Sequence, residues 1–157
     1  MSTKPSKVTG GCLCGAIRYE ASELPGTGGL CHCRDCQRST GSAFEALAMF
    51  PQSVFRFIKG KPKRYKSRTI MEKYFCPHCG SQLTDRYLVS VSAEMQPDMV
   101  WVHIGTLDDP ESAPIEEHYG VESQLSWVHF DDGLPRVRCD EDPELAAAFA
   151  AAEAGEE

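Results

Sequence analysis

Seven of the eight cysteines fall into three tight clusters, and thiols at such spacing bind metal or carry redox chemistry. The first is Cys12-Leu13-Cys14-Gly15, the second Cys31-His32-Cys33-Arg34-Asp35-Cys36, and the third Cys76-Pro77-His78-Cys79-Gly80. Cys139 stands apart near the C-terminus. The third cluster carries the most specific signal. A Cys-x-x-Cys-Gly turn after the strand-like Lys73-Tyr74-Phe75 reads as a zinc knuckle, with both sulfurs aimed at one ion. Gly80 there admits a left-handed backbone that brings amide N–H groups towards the thiolates. A redox dithiol would need a following helix in a βαβ context, whereas Ser81-Gln82-Leu83-Thr84 is strand-like.

A knuckle supplies two ligands and a closed structural zinc needs four, which Cys12 and Cys14 can complete. Cys31, Cys33 and Cys36 are then left close enough to cap one face of a second ion and leave its fourth position open, as in catalytic zinc sites. Spacing alone does not force this division. Cys139 can close the second site and make both zincs structural, although its neighbours Arg138 and Asp140-Glu141-Asp142 read as exposed. His32 and His78 sit at spacer positions, where side chains point away from the ion, and read as bystanders. Seven thiolates against two divalent ions leave excess negative charge, and Arg34, Arg38 and Lys73 are near enough in sequence to offset it. Ordinary solvation is the alternative for each of these three.

The elements that must position the sulfurs are short. Alternating runs at 16–19, 44–50, 54–58, 73–75, 83–91 and 99–104, separated by Gly and Pro, predict a mostly-β single domain of short antiparallel strands stapled by cysteine-bound zinc. Cys33 to Ser39 reads as a short helical turn. The tail from Glu144 to Ala152 predicts a short C-terminal helix, with Asp142 as N-cap and Pro143 at the first helical position. Only Leu145, Phe149 and Ala152 give that helix an apolar edge, so it is expected to dock lightly. The expected organisation is an N-terminal extension over 1–7, a zinc-binding domain over 8–138 and an acidic Ala-rich helical tail over 139–157. Trp101 lies in an apolar alternating run and reads as core; Trp127 lies in a more polar segment, where packing is the favoured reading.

Composition narrows the partners. The chain has 157 residues, of which 41% are hydrophobic and 25% charged, as in soluble globular domains. No apolar run is long enough to span a bilayer, so no membrane partner is expected. A net charge of −7 argues against nucleic acid, and the basic stretch from Lys59 to Lys66 reads as a solvated turn. Met1 to Lys7 leads into no apolar segment, which predicts no secretory signal and a cytoplasmic protein, where disulfides are rare.

The clusters, in this order, resemble the family of glutathione-dependent formaldehyde-activating enzymes, which also contains the centromere protein V domain. The likeness runs from about Val8 to Pro135 and rests first on Gly11-Cys12-Leu13-Cys14-Gly15-Ala16-Ile17-Arg18-Tyr19. It continues through Cys31 to Gly41, Gly60, Tyr65-Lys66-Ser67, Phe75 to Ser81, Gly105 to Pro110, His118 and Ser126-Trp127. The resemblance implies a mostly-β fold and two zinc ions. It implies that Cys12, Cys14, Cys76 and Cys79 hold a structural ion, and that Cys31, Cys33 and Cys36 hold the ion associated with activity. The implied reaction joins formaldehyde, or a related aldehyde, to glutathione or another small thiol and is that of a carbon–sulfur lyase. Ser39, Thr40 and Gly41 are then candidates for the pocket lining. Arg34, Arg38, Arg68 and Arg86 are candidates for the two carboxylates of glutathione. Two other readings stand beside it: a non-catalytic zinc-binding interaction module, and a zinc store or redox sensor.

Overall fold

A computed structural model of the chain describes residues 7–155. Six of the seven residues of the expected N-terminal extension, and the last two of the tail, lie outside the described residues. Strands β1 (Val8–Gly11), β2 (Arg18–Ala21) and β5 (Phe55–Lys59) form a small antiparallel sheet. The larger sheet contains β3 (Gly28–Cys31), β4 (Glu45–Pro51), β6 (Lys63–Arg68), β7 (Met71–Phe75), β8 (Gln82–Tyr87), β9 (Met99–His103), β10 (Glu117–Tyr119) and β11 (Arg136–Val137). Its strand order is β11-β10-β3-β4-β9-β8-β7-β6. Among the described residues the chain is mostly β with two α-helices, α1 (Arg34–Thr40) and α2 (Pro143–Ala154).

Two pairings depart from the expected antiparallel pattern: β10 runs parallel to both β3 and β11. Parallel neighbours need a long crossover, and the chain between Cys31 and Glu117 supplies one by building most of the large sheet before it returns. The result sets Tyr119 directly opposite Cys31.

The core lies where the small sheet covers the large one. Tyr19 from the first, with Ile17 just before β2, meets Phe50, Leu83 and Val102 from the second, all nearly solvent-free. Tyr19 and Phe55 stack with ring centroids 5.1 Å apart, and Phe50 sits 6.3 Å from Phe55. Burying an aromatic or branched side chain of this size contributes roughly 1.5–3 kcal/mol. Trp101 in β9 is not core: it is partly buried and lines a cavity, on the face of the strand opposite the core residues Val100 and Val102. Trp127, by contrast, is 70% exposed: packing fails there because the turn carrying it lies outside both sheets.

Both expected helix signals are in place. Cys33 caps α1, its sulfur accepting the Cys36 N–H, and Gly41 ends it in the left-handed region at φ 68°. Asp142 caps α2 by accepting the Glu144 and Leu145 N–H groups at 3.1 Å, with Pro143 at the first position. No helix of the described residues is long and apolar enough to cross a membrane.

Candidate metal centres and the cavity beside the second

The sulfurs of Cys12, Cys14, Cys76 and Cys79 all lie within 4.8 Å of one another, and so could hold a metal ion. Two turns of different length bring them there. Each closes on a glycine at φ 77°, Gly15 after the first pair and Gly80 after the second. Backbone bonds from Gly15 N to Cys12 O (3.1 Å) and from Gly80 N to Cys76 O (2.9 Å) hold the turns shut. Amides turn towards sulfur as well: Ile17 N–H donates to Cys12 Sγ at 3.2 Å and His78 N–H to Cys76 Sγ at 3.4 Å. The Ser81 hydroxyl sits 3.2 Å from Cys79 Sγ, and hydrogen bonding from Ser81 holds that thiol well below its ordinary range. The sulfur separations of 3.6 Å (Cys12–Cys14) and 3.8 Å (Cys14–Cys76) suit a tetrahedron of about 2.3 Å zinc–sulfur bonds, whose edge is about 3.8 Å. Four thiols at this spacing fit zinc.

The second group is Cys31, Cys33 and Cys36, again within 4.8 Å of one another. Cys31 ends β3, Cys33 caps α1 and Cys36 stands in its first turn, so a strand–helix junction aims three sulfurs at one point. Hydrogen bonds from Cys31 and Cys36 draw the Cys33 thiol down, while the same contacts push the thiols of Cys31 and Cys36 up. The trio therefore holds its first negative charge readily and resists further ones unless a cation joins it. Among the described residues, no fourth Cys, His, Asp or Glu completes this group.

His32 points to the opposite face, as alternate residues along a strand do. Its Nε2 lies 2.8 Å from His118 Nδ1, and His118 Nε2 lies 2.7 Å from Asp132, with Phe44 and Phe130 packed around the rings. His78 is exposed. Neither histidine belongs to a sulfur group.

A cavity of about 380 Å³ opens onto the three sulfurs, walled by Leu47, Met71, Trp101, Tyr119, Leu145 and Phe149. The last two belong to the tail. As its apolar edge implies, α2 docks lightly: it turns the half-buried face of Leu145, Ala148, Phe149 and Ala152 inward, and the Tyr119 hydroxyl donates to Asp142 Oδ2 at 2.7 Å. Cys139 also lines the cavity, contrary to its expected remoteness. Its thiol donates to Glu122 Oε1 at 2.5 Å; burial first, and then the Glu122 carboxylate, push its pKa up to about 12. It is thereby kept as a thiol and stays outside the three-sulfur group.

The expected charge partners distribute differently. Lys73 lies in a buried ionic cluster, 2.5 Å from Asp85 and 3.7 Å from Glu45, with the Cys36 thiol near enough to act on its charge. His103 joins the same two carboxylates at 2.8 Å (Glu45) and 3.3 Å (Asp85). Lys73 and Asp85 are cross-strand partners in β7 and β8, and both edge the cavity. Charged residues inside alternating apolar runs were the available signal for this cluster. Arg38 is exposed on the last turn of α1, and Arg86 donates to the Pro97 carbonyl at 2.9 Å. Ser39 and Thr40 hydrogen-bond back to the Cys36 carbonyl, and with Gly41 they end the helix and do not line the cavity.

A search of curated protein sequences returns no match. Among solved structures, a Rhodobacter sphaeroides protein superposes with a TM-score of 0.48 at 21% identity, covering 82% of this chain and 98% of its own. The family profile described as glutathione-dependent formaldehyde-activating enzyme matches residues 7–122. That span holds all seven clustered cysteines and ends before Ser126-Trp127, Cys139 and the tail helix. By a match over most of its length, the chain belongs to the glutathione-dependent formaldehyde-activating enzyme family.

Proposed function

We propose that the chain is a zinc enzyme that forms or cleaves the adduct between a small thiol, glutathione or another, and formaldehyde or a related aldehyde. The observation that carries this reading is the convergence of Cys31, Cys33 and Cys36, with no fourth Cys, His, Asp or Glu among the described residues, on a cavity large enough for a small molecule. In this proposal Cys12, Cys14, Cys76 and Cys79 hold a structural zinc and the trio holds a second. A zinc held by three thiolates supplies an exchangeable position at which a thiol loses its proton, and it is too electron-rich to polarise a carbonyl strongly.

The rest falls to the protein. Leu47, Trp101 and Phe149 exclude water from the reacting atoms, and the junction of β3 with α1 keeps the three sulfurs in register. In the forward direction a carbon–sulfur bond forms at the carbonyl carbon and the carbonyl π pair moves to oxygen. The proton given up by the thiol ends on that oxygen, so no oxidant or reductant takes part. The reverse direction is a carbon–sulfur lyase.

Thiols add to formaldehyde unaided, so the test compares rates. Exchange between free and adduct thiol, followed by NMR, should exceed the buffer rate with zinc-loaded protein and return to it with Cys33→Ser. Exchange at the buffer rate with fully loaded wild-type protein would leave the non-catalytic interaction module, with exposed Trp127 on its surface, as the better reading.

A further inference from the structure

Resting on the thiol chemistry above, we infer that the thiol accepted here is an apolar one bearing no carboxylate, and that the tail helix selects it.

The charge carried by the cavity wall argues against an anionic peptide thiol. Only three cations line it: Arg34, Arg68 and Lys73. Two are already bound. Asp35 grips Arg68 through two hydrogen bonds of 2.7 and 2.9 Å, and Asp85 holds Lys73 at 2.5 Å. That leaves Arg34, exposed and donating to the Gln37 side-chain oxygen. Against it stand Glu94, Glu116 and Glu117. Burial, and then the charges of Glu94 and Glu116, hold the Glu117 carboxyl above its ordinary value, which reports a locally negative field. The three sulfurs with one divalent ion add a further negative charge. A ligand with two carboxylates would enter this surround with one cation to meet it, whereas an uncharged thiol loses nothing.

What the wall offers instead is apolar contact. Leu30, Leu47, Met71, Met95 and Trp101 come from the sheet side. Leu145 and Phe149 come from α2, beyond the span matched by the family profile. The tail therefore adds an apolar wall to a site whose sulfur floor belongs to the family span, and that wall is where selectivity is set.

The test uses the full-length zinc-loaded protein, titrated calorimetrically with propane-1-thiol, 3-mercaptopropionate, 2-phenylethanethiol and glutathione. The first two differ only by a carboxylate. Propane-1-thiol should bind at least about tenfold more tightly than 3-mercaptopropionate, and 2-phenylethanethiol more tightly than glutathione by a similar or larger factor. Phe149→Ser should weaken 2-phenylethanethiol about tenfold while zinc content and unfolding midpoint hold. Glu94→Gln with Glu117→Gln should strengthen 3-mercaptopropionate and leave propane-1-thiol unchanged. Equal or tighter binding of glutathione overturns the inference and leaves the thiol reading standing. Failure of every thiol to bind the two-zinc protein removes both.

Discussion

The hydroxyl of Tyr119 donates to Asp142 across 2.7 Å, joining the strand residue opposite Cys31 to the cap of the tail helix. A short stretch of sheet thus carries one of the three converging sulfurs on one side and the anchor of the cavity wall on the other. Burial, and then the Asp142 carboxylate, raise the Tyr119 phenol far out of its ordinary range, so it remains a donor at every working pH.

Tyr119→Phe removes this bond without disturbing the Asp142 cap. Loss of one charge-assisted bond costs about 1.5–3 kcal/mol at the docking step. Hydrogen exchange over 143–154 should accelerate, while exchange in β4 and β9, at the centre of the large sheet, should stay the same. Unchanged exchange in the helix would show that Leu145 and Phe149 hold it alone.

The two sulfur groups should respond differently to loss of one member. Cys76 is fully buried and bonded into the β7–β8 turn, so Cys76→Ser should lose one zinc and the folded state together. Cys33→Ser should lose one zinc from a chain that still folds, because Cys33 sits at a helix cap beside a cavity, outside the core. Metal analysis with far-ultraviolet circular dichroism separates the cases. Two zincs retained in Cys33→Ser would end the three-sulfur assignment.

Much of this was legible in the residues, for local reasons. Cysteine spacing within a turn determines which sulfurs can converge, so the clusters could be read without a fold. Asp142-Pro143 marks the start of α2 because capping and a fixed proline φ act within a few residues. What stayed hidden depends on long-range return of the chain. Cys139 lies far in sequence from Cys33, and only the parallel entry of β10, with Glu122 just beyond it, brings the thiol to the cavity. Lys73 reads as a charge near the sulfurs, and it does feel Cys36, but its direct partner is the cross-strand Asp85, which sequence spacing does not show. The apolar edge of α2 announces light docking but not its place, which is set by the cavity that Leu145 and Phe149 line.

Gly120 makes one such long-range contact. It adopts φ 68°, and a Cβ there would fall 2.9 Å from Cys33 N and 3.1 Å from Cys33 Cβ. Gly120→Ala meets a left-handed backbone penalty of about 1–2 kcal/mol and drives a methyl group into the cap of α1. The expected result is weaker retention of one zinc against a chelator, with the four-sulfur zinc unaffected. Equal release of both ions would place the damage elsewhere.

His103 makes stability depend on alkaline pH. Burial alone would lower its pKa, but hydrogen bonds to Asp85 and Glu45 prevail and lift it to about 9. The folded pKa is thus above the ordinary unfolded value of about 6.5. The native state binds the proton more tightly, so the stabilisation is complete below about pH 6.5 and is lost as pH rises through about 9. The contribution at stake is on the order of 3 kcal/mol. Urea unfolding of zinc-loaded protein should give a free energy that falls between pH 6.5 and 9.5, and His103→Gln should flatten that slope while lowering stability at pH 6.5. A variant that keeps the wild-type slope would mean that another group titrates, and that His103 is neutral between its two carboxylates.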